Sequence, residues 1–194
     1  MKKIFLHIMI SLDGFIEGPD KELDWHFVDR EFEEYSNNML RSIDGILIGR
    51  KVYQLFVDYW PAAAENPSGA ADPSDPSLHI EAAHLLNELP KYVVSTTMEK
   101  AEWNNSHIIS GNIFEELTRL KKGEGNIALF GGASLVSSMM EMNLIDEYRL
   151  IVNPVLLGGG TPLFNGGYKR SALKLMDLIK FKSGAVAYTY KYDK

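Results

Sequence analysis

Cysteine is absent from this chain of 194 residues. Disulfides, thiolate nucleophiles and zinc-thiolate centres are thereby excluded, and the composition suits a reducing, cytoplasmic setting. Histidine is sparse, with five residues and no H-x-x-x-H or similar paired spacing, so no metal site is expected. Positive charge is outnumbered: 20 Lys and Arg stand against 26 Asp and Glu, a formal net charge of -6. That balance leaves no basic stripe for a phosphate backbone, and no nucleic-acid partner is expected. No apolar run approaches the roughly 20 residues of a membrane helix, so no membrane association is expected either. The opening "MKKIFLHIMISLDG" imitates a signal peptide, but its apolar run is short, contains His7 and meets Asp13 where small cleavage-site residues belong. It reads as a first strand. Neither the G-x-G-x-x-G fingerprint nor a G-K-[ST] phosphate loop occurs.

What remains is an ordinary globular composition, 45% hydrophobic and 24% charged, at a length that predicts one domain over residues 1–194. After the first strand, residues 3–12, a loop runs to Asp29. "DREFEEYSNNMLRSI" then spaces Phe32, Tyr35, Met39 and Ile43 as a helix behind a capping-type Asp29. "DGILIG" reads as a strand, and a helix restarts at Arg50. The proline-rich stretch from Trp60 through residue 78 predicts a long exposed loop, either a lid or an insertion. Beyond it come a helix from Ile80, a strand from Lys91, a short strand at His107, a helix from Asn112 and a strand from Asn126. A helix then starts near Ser134 and a long strand covers residues 147–157. "ALKLMDLIKFK" and "AVAYTYKYD", joined at Ser183-Gly184, predict a terminal hairpin. Strands alternating with helices imply an α/β fold: a mostly parallel central sheet flanked by helices on both faces, with a C-terminal antiparallel hairpin at one edge.

Three joins end a strand with glycine or hydroxyl residues: Gly49-Arg50, Ser95-Thr96-Thr97 and Gly131-Gly132-Ala133-Ser134. In an open α/β sheet such joins lie beyond the strand carboxyl ends, where helix N-termini offer free N–H donors to an anion. The plainer reading is that the glycines let each helix pack closely on its strand. Three joins of one kind in one sheet weigh against it.

The ordered set "ISLDGFIEG", "DGILIGRKVYQLF", "YVVSTT", "IALFGGASLV" and "LLGGGTPLF" resembles the dihydrofolate reductase superfamily, and within it the bacterial proteins grouped with the riboflavin-biosynthesis reductase domain. The resemblance spans nearly the whole chain and implies an NADPH site. On it, Gly131-Gly132 matches a turn, often cis, that lies against the cofactor pyrophosphate, and Ala133, Ser134 and Leu135 continue that turn into its helix. Gly49, Arg50 and Lys51 match a helix start that approaches the phosphates, though Val52 replaces the family's threonine. Ser95, Thr96 and Thr97 match the segment holding the adenosine ribose and its 2′-phosphate. Met9 and Ile10 match the backbone that meets the carboxamide, and residues 13–18 match a loop that closes over the ring. Proton supply implies a carboxylate near the following helix start: Asp29 stands nearest in spacing, with Asp24, Glu31 and His26 as rivals, while a helix cap explains Asp29 equally well. Trp25 is placed either against a substrate ring or in half-buried packing. Riboflavin-type relatives imply a homodimer.

The leading expectation is an NADPH-dependent reductase of a small heterocycle, pterin or pyrimidine, transferring hydride to a C=N bond. A ribosylaminopyrimidine reductase of the riboflavin pathway is the runner-up. A nucleotide-binding module without turnover is the reading from a different class.

Overall fold

The computed structural model describes residues 2–193, and the elements follow from the sequence pattern. Strand β1, Lys3–Ser11, alternates its side chains across the sheet, so Ile4 and Leu6 enter one apolar cluster while Phe5 enters the opposite one. The same two-residue period places Ile46 and Ile48 of β3 (Ile46–Gly49) against Leu47, and Ile127 and Leu129 of β6 (Asn126–Leu129) against Ala128. Full burial of each of these larger side chains stabilises the fold by about 2 kcal/mol.

The main sheet has eight strands in the order β5-β4-β3-β6-β1-β7-β10-β9. Here β4 is Lys91–Val94, β5 Ser106–Ile109, β7 Glu147–Asn153, β9 Leu173–Lys180 and β10 Val186–Tyr192. From β5 through β7 every pairing is parallel; β10 then pairs antiparallel with β7 and β9 with β10, as the hairpin pattern predicts. Helices α1 (Arg30–Arg41), α2 (Arg50–Ala63) and α3 (Ser77–Glu88) pack on one face through Met39, Tyr53 and Leu86. Helices α4 (Ile113–Leu120) and α5 (Ala133–Glu141) cover the other through Leu117, Val136 and Met139. The edge strand β9 is exposed along its whole length, including Leu175, Met176 and Leu178. No helix among the described residues is long and apolar enough to cross a membrane.

Several boundaries differ from the sequence expectation, among them the start of α3 at Ser77 where a loop through residue 78 and a helix from Ile80 were expected. The predicted loop from Trp60 begins later, because α2 continues through Pro61 to Ala63; proline's φ is helical, and in the last turn its missing N–H forgoes a single backbone bond. The long strand expected over 147–157 stops at Asn153, where Pro154 removes a ladder donor. A two-stranded sheet of β2 (Phe15–Glu17) and β8 (Thr161–Pro162) forms from segments read as loops. It ties the 13–18 loop to the Gly158–Gly160 turn. Asp13 accepts from the backbone N–H groups of Leu157 (3.1 Å) and Gly158 (2.8 Å). At Gly160 (φ +122°) a Cβ would stand 2.0 Å from the Glu17 carbonyl oxygen, so only glycine fits.

Candidate active site

A cleft of about 940 Å³ opens beyond the carboxyl ends of β1, β3, β4 and β6. Two backbone bonds draw its joins together: Phe130 N–H donates to Leu47 O (3.0 Å) and Gly49 N–H to Gly131 O (3.1 Å). The Gly131-Gly132 peptide is cis. All the cofactor-site residues expected from the sequence line this cleft except Ile10 and Gly131. Ile10 points into the core, and Gly131 contributes its carbonyl to the β3 join.

The two glycines of the turn differ in why they are glycine. Gly131 has φ +94°, where side chains are strained. Gly132 has φ -73°, and a Cβ there would come no nearer than 3.9 Å to any protein atom, that of Val52 Cγ2. Gly49 is similar, with φ -83° and its nearest contact for a Cβ at 3.9 Å. Neither backbone conformation nor protein packing demands glycine at 49 or 132. Each is the N-cap of a helix that opens on the cleft, α2 and α5, and neither supplies a capping side chain. By contrast α1 and α4 are capped by the Asp29 and Asn112 side chains. The first-turn N–H groups of α2 and α5 therefore face the cleft with a positive dipole end and bare backbone. Arg50 and Lys51 are exposed there, and neither makes an ion pair among the described residues. Ser95 spends its hydroxyl locally, accepting from Met98 N (3.1 Å), while Thr96 and Thr97 stand exposed on the rim. This set fits a dinucleotide: amides and cations for the phosphates, hydroxyls for a ribose, and Met9 at the strand end for a ring.

The expected catalytic carboxylates are elsewhere. Asp29 caps α1, its two oxygens accepting from Phe32 N (2.8 Å) and Ser183 N (2.6 Å). Burial would raise its pKa, but those hydrogen bonds and the Lys182 charge outweigh it and hold the carboxyl below its ordinary range. It is an anionic helix cap and stands outside the cleft lining. Glu31 faces Lys182, with Nζ at 2.7 Å, and Asp24 is exposed; neither lines the cleft. Trp25 is buried with its indole N–H on the Glu22 carbonyl (3.1 Å), so it packs the loop and does not line the cleft.

The carboxylates that do line it are Glu17 and Glu33. Burial would raise Glu17, yet hydrogen bonds from Lys21 (2.7 Å) and Thr161 (2.5 Å) and the charges of Lys21 and Lys51 lower it below its usual value. Glu33 is buried on α1, accepts from Ala71 N (3.0 Å) and stands 3.6 Å from His79 Nδ1. His79 Nε2 is 2.7 Å from the Tyr59 hydroxyl, and the Trp60 ring stacks on His79 with centroids 5.4 Å apart. Sequence reasoning missed this group. The available signal was the polar pair Glu33 and Asn37, one turn apart on a helix whose neighbours are core residues. His7 and His26 also line the cleft; burial, joined at His7 by the Arg149 charge, lowers them to about 3 and about 4, so both are neutral near pH 7.

Residues 2–187 match the family described as the RibD C-terminal domain. This chain belongs to that family. The chain is similar to the uncharacterized protein YyaP of Bacillus subtilis (strain 168), 37% identical over 193 residues, 99% of this chain and 96% of that one. It is similar also to the 2,5-diamino-6-ribosylamino-4(3H)-pyrimidinone 5′-phosphate reductase of Aquifex aeolicus (strain VF5), 25% identical over 198 residues, 90% of this chain and 87% of that one. In three dimensions the RibD C-terminal fold here superposes on dihydrofolate reductase from Enterococcus faecalis, solved with NADP(H) and RAB-propyl. The TM-score is 0.60 at 14% identity, covering 99% of this chain and 97% of that one. The fold is thus dihydrofolate-reductase-like, and the chain is a riboflavin-biosynthesis reductase-like domain.

Proposed function

We propose that this protein is an NADPH-dependent reductase of a small pterin- or pyrimidine-type heterocycle. The observation that carries the reading is the pair of glycine N-caps, Gly49 and Gly132, which neither backbone conformation nor packing requires to be glycine and which leave two helix N-termini bare at one cleft. When bound, the nicotinamide would supply the hydride. The chain's own part is to bind and orient: amides of the α2 and α5 first turns toward the pyrophosphate, Arg50 and Lys51 toward the phosphates, and Thr96 and Thr97 toward the adenosine ribose. Ile8 and Met9, both in the lining, take the ring end. Glu33, a buried carboxylate on the cleft wall, takes the proton-supplying role expected of Asp29. The 13–18 loop, strapped through Asp13 to Leu157 and Gly158, shields the ring end from water.

The Aquifex relative favours a second reading, reduction of a ribosylaminopyrimidine 5′-phosphate. Loss of NADPH absorbance at 340 nm, followed across dihydropterins, dihydrofolate and aminopyrimidines, tests the function. Turnover of at least one such ring is expected; cofactor binding with no turnover on the whole panel would leave a nucleotide-binding module instead.

A further inference from the structure

The end of the cleft where α1, α2 and α3 meet is furnished differently from the glycine-turn end. Asn37, 1% exposed, donates from Nδ2 to the Leu78 carbonyl (2.8 Å) and to Glu81 Oε2 (3.2 Å), which makes its Oδ1 an acceptor, and that oxygen has no partner. One turn earlier Glu33 presents a buried carboxylate. His7 Nδ1 is also unpartnered, in a ring set between Tyr35 and Phe130. Buried polar atoms are nearly always satisfied, so two unpaired ones on residues that line one cleft call for a partner. Phe32, Phe56 and Trp60 add apolar wall.

Positive charge is missing from this end. The basic side chains of the lining are Lys21, Arg50 and Lys51. Arg50 and Lys51 begin α2, whereas Tyr59 follows Arg50 by nine residues, about 13 Å along the helix. Lys21 is held by Glu17 and Thr161 at the β2–β8 ribbon. The α1 arginines lie outside the lining and are engaged by carboxylates, Arg30 by Asp75 (2.8 Å) and Arg41 by Glu81 (2.8 Å). The segment after α2 closes this end through Gly69, in the lining, and Ala71, whose N–H reaches Glu33. A phosphate monoester brings negative charge to a wall that holds the Glu33 carboxylate and no lysine or arginine. An aminated ring offers N–H donors.

We infer that this end of the cleft takes a planar, amino-bearing heterocycle without a phosphate, its N–H groups directed to Glu33 and Asn37, and discriminates against the 5′-phosphorylated pyrimidine named for the Aquifex relative. The inference rests on the reductase reading for what fills the other end, and the test separates the two. Protein is first titrated with NADPH, then the loaded protein is titrated calorimetrically with 2,5-diamino-6-ribosylamino-4(3H)-pyrimidinone and, separately, with its 5′-phosphate. The unphosphorylated compound is expected to bind at least tenfold more tightly, and Glu33→Gln to narrow that gap. The phosphate binding equally or more tightly, or both compounds failing on NADPH-loaded protein, overturns the inference; failure of NADPH itself overturns the reductase reading. Should Glu33→Gln melt early, the unmodified protein gives the same reading at 25 and 500 mM salt. A gap set by charge repulsion narrows with salt, and an unchanged gap contradicts it.

Discussion

Acidification should destabilise this protein through His7, and the size of the effect follows from where the ring sits. The side chain lies in the middle of β1, 4% exposed, with Tyr35 and Phe130 rings 5.9 and 5.6 Å away. Burial, and after it the Arg149 charge, lowers the folded pKa from an ordinary 6.5 to about 3. The unfolded chain takes up a proton as pH falls through about 6.5, whereas the folded protein does so only near 3. Throughout that window the unfolded state binds more protons, so stability falls as pH falls. At pH 5 the unfolded ring is about 1.5 pH units below its pKa, and at about 1.36 kcal/mol per unit the loss relative to pH 8 is about 2 kcal/mol. Against a total stability of about 5–15 kcal/mol this is readily measured. Urea denaturation at pH 8 and pH 5 should show the drop, and in His7→Gln the drop should shrink by about 2 kcal/mol. His26, lowered to about 4 by burial, adds a change of the same sign that persists in both proteins. Identical pH dependence in the two proteins would refute the burial argument.

Asp29→Ala should lower stability by about 1–2 kcal/mol, since it removes the α1 cap and the bond to Ser183 N, while turnover per folded molecule stays the same; a folded variant without turnover would return Asp29 to the site. Gly49→Ala should leave the melting temperature nearly unchanged, because a gain of about 0.4–1 kcal/mol from the unfolded chain offsets a comparable loss at the N-cap. The added methyl lies on the cleft wall, so NADPH should bind about tenfold more weakly by fluorescence titration; unaltered affinity would deny the close approach. We propose that the exposed apolar strand β9 pairs two copies of the chain. Sedimentation should then find a dimer that Leu178→Lys converts to monomer, and a monomeric unmodified protein would contradict it.

The fold was legible because each level of pattern agreed: two-residue alternation in β1, β3 and β6, helical spacing in α1, and a Ser183-Gly184 turn between the last two strands. The glycine joins were legible for a related reason, since glycine is a local signal and the sheet topology brings strand ends together. The acidic end was not. Asp29 sits at a helix start in sequence as a donor or as a cap would, and only its partners, Phe32 N and Ser183 N, decide between the two; Ser183 lies far along the chain. Glu33 reads as one carboxylate among several on an amphipathic helix until α3 and the 64–76 segment bring His79 and Ala71 against it. Those are contacts between elements distant in sequence, and spacing along one helix carries no trace of them. Of the two readings open for Trp25, the structure shows the packed one, its indole N–H on the Glu22 carbonyl within its own loop.

The central claim is that the bare N-termini of α2 and α5, with Arg50 and Lys51 beside them, grip a phosphorylated dinucleotide. Its most direct test is parallel calorimetric titration of the protein with NADPH and with NADH at low salt. Exposed cations near a 2′-phosphate contribute about 1 kcal/mol per charge pair at 4 Å in water-like surroundings. The account therefore predicts saturable one-site binding, with NADPH favoured by roughly tenfold and the preference shrinking in Arg50→Ala. Absence of binding by both nucleotides would contradict it.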